Sequence, residues 1–257
     1  MAANKPETYS MRDVRTQTQA DDAFVRGLGD YFVCGLGGSV DKLRHFAKYV
    51  PRQTLSLFLA KHELFQRIVP VHGHIIECGV FLGGGLMTWA QLSAIHEPYN
   101  HIRRIVGFDT FDGFPSLSHG DKGADQAYAV PGGLATNARS DIEEAVRLYD
   151  LNRPIGHIPR VELVVGDATE SISRYVEENP HLVVALLYLD FDLYEPTLAA
   201  IQHLVPRMPK GAVLAFDELG QKAWPGETRA VQEAIGLGNL NLRRFPYTPQ
   251  LSYAVIE

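Results

Sequence analysis

The chain has 257 residues, of which 46% are hydrophobic and 21% charged, and its 24 lysines and arginines against 30 aspartates and glutamates leave a formal charge of −6. That much apolar surface can build a large core and excludes a disordered tail, while the acidic balance lacks the footprint of a protein that tracks a phosphate backbone or an anionic membrane surface. The length suits one large α/β domain with an appendage better than two independent domains.

The chain opens on a polar segment in which Lys5, Glu7, Arg12 and Asp13 leave no apolar signal region. A glycine-rich stretch follows (Gly27, Gly29, Gly35, Gly37, Gly38), then helix-like patterns over 40–49 and 54–68. Residues 1–70 read as an N-terminal helical extension, a lid or a subunit contact, and a homo-oligomer is expected. From residue 71 onward strands and helices alternate, which marks the catalytic domain.

Segment 74–79 is a short apolar run ending in glycine, 86–95 a helix and 104–109 a second strand. Residues 110–136 form a long loop rich in glycine and proline, and such loops inside compact domains are usually functional. It is expected to cover the active site. Then come a helix over 141–149, a strand over 161–166, a helix over 171–178 that stops at Asn179-Pro180, and a strand over 182–190. A helix over 196–205, a strand over 212–217, a helix over 227–235 and a hairpin of 243–245 with 252–256 complete the pattern.

The run 182–189 is apolar on both faces, as expected when helices cover both sides of a mostly parallel sheet. It is far short of the roughly 20 residues of a spanning helix, so a soluble, cytoplasmic protein without membrane or nucleic-acid partners is expected. The two cysteines, Cys34 and Cys78, sit in no Cys-x-x-Cys or Cys/His spacing and are expected to be reduced and structural. The fold class is a doubly wound α/β sandwich whose five strands and hairpin make a seven-stranded, mostly parallel sheet. Ligands in such sheets sit beyond the carboxyl ends of the strands, where strand order reverses.

Three groups of residues at those ends carry chemistry. Glu77-Cys78-Gly79-Val80-Phe81-Leu82-Gly83-Gly84-Gly85 lies between a strand and a helix, where glycines let backbone approach a ligand and the helix offers unpaired donors. The spacing is not the dinucleotide Gly-x-Gly-x-x-Gly, and Glu77 suits an ammonium group better than a pyrophosphate. A tight strand-to-helix turn with a satisfied acid is the alternative. Asp109 ends the second strand, where a carboxylate can accept both ribose hydroxyls. Asp167 follows the third strand, placed to read an adenine edge or to cap a helix.

Asp190 and Asp192 end the fourth strand, and Asp217 with Glu218 ends the fifth. If those strands are neighbours, the acids converge and raise one another's pKa values unless a hard cation sits among them. Oxygen ligands of this kind suit magnesium, calcium or manganese better than zinc. A helix cap or a pairing with Lys222 or Arg229 is the alternative. The histidines show no convincing ligand pair, although His119 lies in the loop over the site. Trp224, Tyr247 and Tyr253 are candidates for an acceptor pocket, and no Gly-x-Ser-x-Gly elbow appears.

Taken in order, Glu77-x-Gly79-x-x-x-Gly83-Gly84, Phe108-Asp109-Thr110-Phe111-Asp112-Gly113-Phe114-Pro115, Asp190-x-Asp192-x-Tyr194-Glu195-x-Thr197 and Asp217-Glu218 resemble the macrocin O-methyltransferase (TylF) family across about 74–220. The resemblance implies a Rossmann-like class I methyltransferase that uses S-adenosyl-L-methionine and a divalent metal to methylate a sugar hydroxyl of a glycosylated antibiotic. It assigns Glu77, Gly79, Val80, Phe81, Gly83, Asp109, Thr110, Asp167, Ala168 and Asp190 to the cofactor. Asp190, Asp217 and Glu218 become metal ligands, with Asp190 also the general base. The sequence departs from the family at Glu218-Leu219, where an aspartate and a tyrosine are usual, and at Phe191, which replaces a smaller residue. A dinucleotide-dependent oxidoreductase and a non-catalytic assembly protein on the same fold are the competing readings.

Overall fold

In the computed structural model, which describes residues 18–125 and 127–257, contacts group the chain into a first unit ending at Ser56 and a second, Leu57–Glu257. The polar N-terminal segment read for a signal region lies outside the described residues. The first unit holds helices α1 (Gln19–Cys34) and α2 (Ser39–Arg44), and α3 (Arg52–Ile68) begins in it. The sequence reading assigns no helix before residue 40, yet α1 runs straight through Gly27 and Gly29. Each glycine costs roughly 1 kcal/mol against alanine, so local interactions must compensate. Thr18 and Asp21 form a capping box at the start of α1, and Lys42 donates to the carbonyls of Phe32 (2.5 Å) and Val33 (3.1 Å) at its end. Those bonds satisfy acceptors that every helix C-terminus leaves open.

The second unit is built on strands β1 (His74–Cys78), β2 (Ile105–Asp109), β3 (Val161–Val165), β4 (Val184–Leu189), β5 (Val213–Phe216), β6 (Arg243–Phe245) and β7 (Thr248–Val255). They form one seven-stranded sheet in the order β3-β2-β1-β4-β5-β7-β6, with β7 and β6 antiparallel and the rest parallel. Strand order reverses between β1 and β4, where Glu77 pairs in register with Tyr188 and Cys78 with Leu189. Every residue of β4 is buried, as its two-faced apolar pattern requires of a central strand under helices.

Helices α4 (Gly84–His96), α5 (Arg139–Leu151), α6 (Ala168–Glu178), α7 (Tyr194–Leu204) and α8 (Pro225–Ala234) connect the strands. The elements begin and end within a few residues of the sequence expectations. Separate cores form on the two faces, one around Leu64, Trp89 and Tyr188 and the other around Phe108, Leu187 and Phe216. No helix among the described residues is long and apolar enough to cross a membrane. Both cysteines are unpaired, Cys34 exposed and Cys78 buried.

Among its described residues the loop over 110–136 contains a single 3-10 turn, His119–Asp121. It is not a free flap. Ala129 packs with Leu193 and Trp224, joined by Phe114, Leu117 and Tyr128, in a small hydrophobic cluster of its own. Asp121, buried, accepts the Tyr194 amide at 2.7 Å and so caps α7 from a distant part of the chain.

Candidate active site

The carboxyl end of β1 turns sharply. Gly79 has φ 95°, Phe81 φ 52° and Gly83 φ 82°, all in the left-handed region. A Cβ on Gly79 would stand 1.9 Å from the Asp190 carbonyl oxygen, so only glycine lets β1 pass this close to the end of β4. The loop is held open by Asp109, whose Oδ2 accepts the amides of Val80 and Phe81 at 2.8 Å each while Oδ1 accepts that of Phe111 at 2.7 Å. Asp109 was expected to face a ribose; in this structure it organises the backbone from which a ligand would be gripped.

Glu77 is sealed beneath the first turn of α4 and only 1% exposed. A Cβ on Gly85 would lie 1.8 Å from its Oε1. That oxygen faces the Lys61 ammonium at 3.4 Å, and Oε2 has no hydrogen-bond partner. Burial pushes the Glu77 carboxyl up to about 7, with Lys61 pulling the other way. Thr110 donates its hydroxyl to the Gly113 carbonyl at 2.7 Å, closing a turn just past β2. Asp167 caps α6, with Oδ1 accepting the Thr169 amide (2.9 Å) and hydroxyl (2.7 Å), and Ala168 opens that helix. A cavity of about 330 Å³ lies beside Thr110, Phe111 and Val165 at the ends of β2 and β3.

Acids gather on the other side of the switch point. Asp190, Asp192 and Glu218 bring carboxylate oxygens within 4.8 Å of one another. Asp192 reaches the cluster because its own backbone is left-handed, φ 63°. Asp217, expected in the metal set, has Oδ1 turned to the Tyr188 hydroxyl at 2.5 Å and lies beside this group, which Asp192 joins. Glu227, from α8, is fully buried behind them, its carboxyl turned towards the Asp217 and Glu218 amides without a close hydrogen bond. Glu218 Oε2 is likewise buried without a partner.

Burial, and then repulsion from Asp217, raises Asp192 to about 8 and holds Asp190, Glu218 and Glu227 well above the usual carboxylate range. Arg229 is not their counterion, since its guanidinium donates to the Gly120 carbonyl. Crowded carboxylates with orphaned buried oxygens are a donor set that a hard divalent cation fits.

Several candidates fall elsewhere. His119 packs edge-on against Tyr194, with ring centroids 5.7 Å apart. Tyr247 donates to Glu63 and Tyr253 stacks on Phe245, so of the three aromatic candidates only Trp224 joins the cluster under the loop. The histidines are less scattered than the sequence implies. His72, His74, His101 and His181 line a cavity of about 430 Å³ at the amino ends of the strands, the edge opposite the acids. Sequence reasoning passed over Lys61, Tyr188, Asp121 and Glu227. Only Tyr188 carried a signal, a hydroxyl inside an otherwise apolar central strand.

The macrocin-O-methyltransferase (TylF) family profile matches residues 59–235. A curated relative, the 8-demethyl-8-(2,3-dimethoxy-alpha-L-rhamnosyl)-tetracenomycin-C 4'-O-methyltransferase of Streptomyces olivaceus, is 26% identical over 152 residues. That match covers 58% of this chain and 53% of the relative, so the similarity spans about half the relative's length. The crystal structure of CalS11, a calicheamicin methyltransferase, is 33% identical with a TM-score of 0.89, covering 96% of this chain and 97% of CalS11. Its apo form, described as a TDP-rhamnose 3'-O-methyltransferase, superposes at TM-score 0.81 with the same 33% identity over 95% and 99% of the two chains. The O-methyltransferase NovP shares the fold at 18% identity, TM-score 0.54, over 77% of this chain and 78% of NovP.

Proposed function

The chain belongs to the macrocin O-methyltransferase (TylF) family, and on that premise we propose that it transfers a methyl group from S-adenosyl-L-methionine to a sugar hydroxyl of a glycosylated natural product, aided by a divalent cation. The observation that carries this reading is the meeting, at one switch point, of a glycine turn pressed against Asp190 and an acid cluster that Asp190 shares.

The methyl donor supplies an electrophilic sulfonium methyl. The turn through Gly79, Val80, Phe81 and Gly83 lines the place of its amino-acid tail, with Glu77 beneath it as the anionic group that favours its ammonium. Thr110, Asp167 and Ala168 border the ends of β2 and β3, where the adenosine would lie. A bound divalent cation supplies a Lewis acid that lowers the pKa of an acceptor hydroxyl. Asp190, Asp192 and Glu218 would hold it, with Asp217 and Glu227 beside them.

Asp190 is the general base, taking the hydroxyl proton as the acceptor oxygen forms its bond to carbon and the carbon–sulfur bond breaks, leaving a neutral thioether. Holding donor and acceptor in line contributes up to roughly 7–11 kcal/mol, and the loop over 110–136 excludes water while the reaction proceeds. The first unit serves as a subunit contact of a homo-oligomer, a role supported by α1, a helix with no buried residue and with Phe24 and Val25 exposed.

Incubation with labelled adenosylmethionine and a panel of nucleotide-linked and glycosylated deoxysugars tests the activity. Transfer of label to the sugar, lost on exhaustive chelation and restored by magnesium or manganese, is the expected result. Full activity after chelation removes the cation, and an enzyme that binds NAD but not adenosylhomocysteine in calorimetry overturns the reading.

A further inference from the structure

Lys61 is the most unusual ionisable group outside the acid edge. It lies on α3, a helix whose sequence gives no hint of chemistry, and is only 7% exposed. Its ammonium is 3.4 Å from Glu77 Oε1, 4.1 Å from the centroid of the Tyr188 ring and 5.3 Å from that of Trp89. A buried ammonium is costly unless it is paired, and here one carboxylate oxygen and two aromatic faces share that task. The fit is close: a Cβ on Gly85 would meet both Glu77 Oε1, at 1.8 Å, and Lys61 Nζ, at 2.4 Å.

We propose that Lys61 is a positioning residue for the cofactor site, whose ammonium keeps the Glu77 carboxylate anionic and fixed beneath the first turn of α4. The proposal rests on the reading of Glu77 as the anion that favours the methyl donor's ammonium. Lys61 is the cation that opposes the burial of Glu77, while Asp109 at the end of β2, Asp190 beyond β4 and Asp217 beyond β5 all act to protonate it. Tyr188 also faces it, and Cys78 follows it in β1 on the opposite face of the sheet, both with burial holding them in the neutral form. With Lys61 removed, every remaining influence favours the neutral acid, which cannot attract an ammonium. Lys61 touches no reacting atom. It acts through Glu77, and the same ammonium packs on the ring whose hydroxyl anchors Asp217.

The test is the dissociation constant of adenosylhomocysteine, measured calorimetrically from about pH 6 to pH 9 on the full chain and on the Lys61→Met, Lys61→Gln, Lys61→Arg and Glu77→Gln variants. Lys61→Met is expected to weaken binding about fivefold or more near neutrality, since a rise of one unit from about 7 cuts the ionised fraction from about a half to about a tenth, and to recover as the pH rises. Lys61→Gln should show the same alkaline displacement even if the methionine variant folds poorly. Lys61→Arg should bind nearly as the unmodified chain does. Glu77→Gln should bind weakly at every pH, and because it shares the ligand's own ionisations it serves as the baseline. If Glu77→Gln is weakened while folded Lys61→Met and Lys61→Gln bind like the unmodified chain across the range, the proposal is overturned and the role of Glu77 survives. If Glu77→Gln itself binds normally, the reading of Glu77 fails and the proposal fails with it.

Discussion

Replacing Asp121 by alanine removes three hydrogen bonds at once. Its Oδ1 accepts the Tyr194 amide at 2.7 Å, and its Oδ2 accepts the Ser118 amide at 2.8 Å and hydroxyl at 3.0 Å. Tyr194 is the first residue of α7, and Leu193 before it offers no side-chain cap, so Asp121 is a cap delivered across the fold. Loss of a cap costs about 1 kcal/mol, and a buried amide left without an acceptor adds roughly 1–3 kcal/mol. A total of about 2–4 kcal/mol corresponds to a fall in Tm of roughly 4–16 °C for a domain of this size. Urea unfolding followed by far-UV circular dichroism measures the loss, and hydrogen exchange at the Tyr194 amide locates it. Asp121→Asn, which retains one carbonyl acceptor, should lose about half as much. A loss below about 0.5 kcal/mol, the range of ordinary surface substitutions, with unchanged protection at Tyr194 would refute the assignment of Asp121 as the clamp between the loop and α7.

Asp190→Asn is expected to keep adenosylhomocysteine affinity within about twofold while methyl transfer falls by roughly 10²–10⁴, the usual contribution of a positioned base; unchanged turnover would remove Asp190 from that role. Gly85→Ala drives a methyl group into Glu77 and Lys61, so adenosylhomocysteine binding should weaken although α4 gains a better helix former, and unaltered affinity would show that the pair can move without consequence. Burial, reinforced by His181, Arg104, Arg103 and His72, lowers His74 to about 4, and its Nδ1 accepts the Arg104 amide at 2.9 Å. Because the folded value lies below the unfolded one, the unfolded state binds more protons between the two. Stability is therefore lost as pH falls from about 6.5 towards 4, by on the order of 1–2 kcal/mol once partial exposure is allowed for. An imidazole that titrates near 6.5 in an NMR titration would contradict this.

Much of the catalytic unit was legible because its signals are local. β1 is a short apolar run broken by Gly79, β4 is apolar on both faces, and each ends in an acid or a glycine that a chain-order reading can place at the carboxyl edge. The gathering of Asp190 with Glu218 followed from supposing β4 and β5 adjacent, and they do pair in parallel. Asp192 and Asp217 were expected beside them, but which of the two groups most tightly with Asp190 and Glu218 was not legible. Asp192 and Asp217 have the same composition and similar strand-end positions, and the difference lies in a left-handed φ at Asp192 and a hydroxyl from Tyr188 at Asp217. Helix α1 was missed for the converse reason, since Gly27 and Gly29 argue locally against a helix whose ends are secured by Asp21 and Lys42.

By itself, then, the sequence determined the alternation of strands and helices, the doubly wound class, the family, and the edge of the sheet at which the acids gather. Those features follow from periodicity and from residue types whose preferences act over a few neighbours. Only the tertiary structure decided that Lys61 would meet Glu77, that Tyr188 would claim Asp217, and that Asp121 would cap a helix beginning at Tyr194. In each case the partners lie on different elements, and a lysine in a helix or an aspartate in a loop reads as solvated until packing takes its water away. Desolvation is what turns these side chains from surface charges into parts of a site, and it is a property of the assembled layers that the order of residues along one element does not carry.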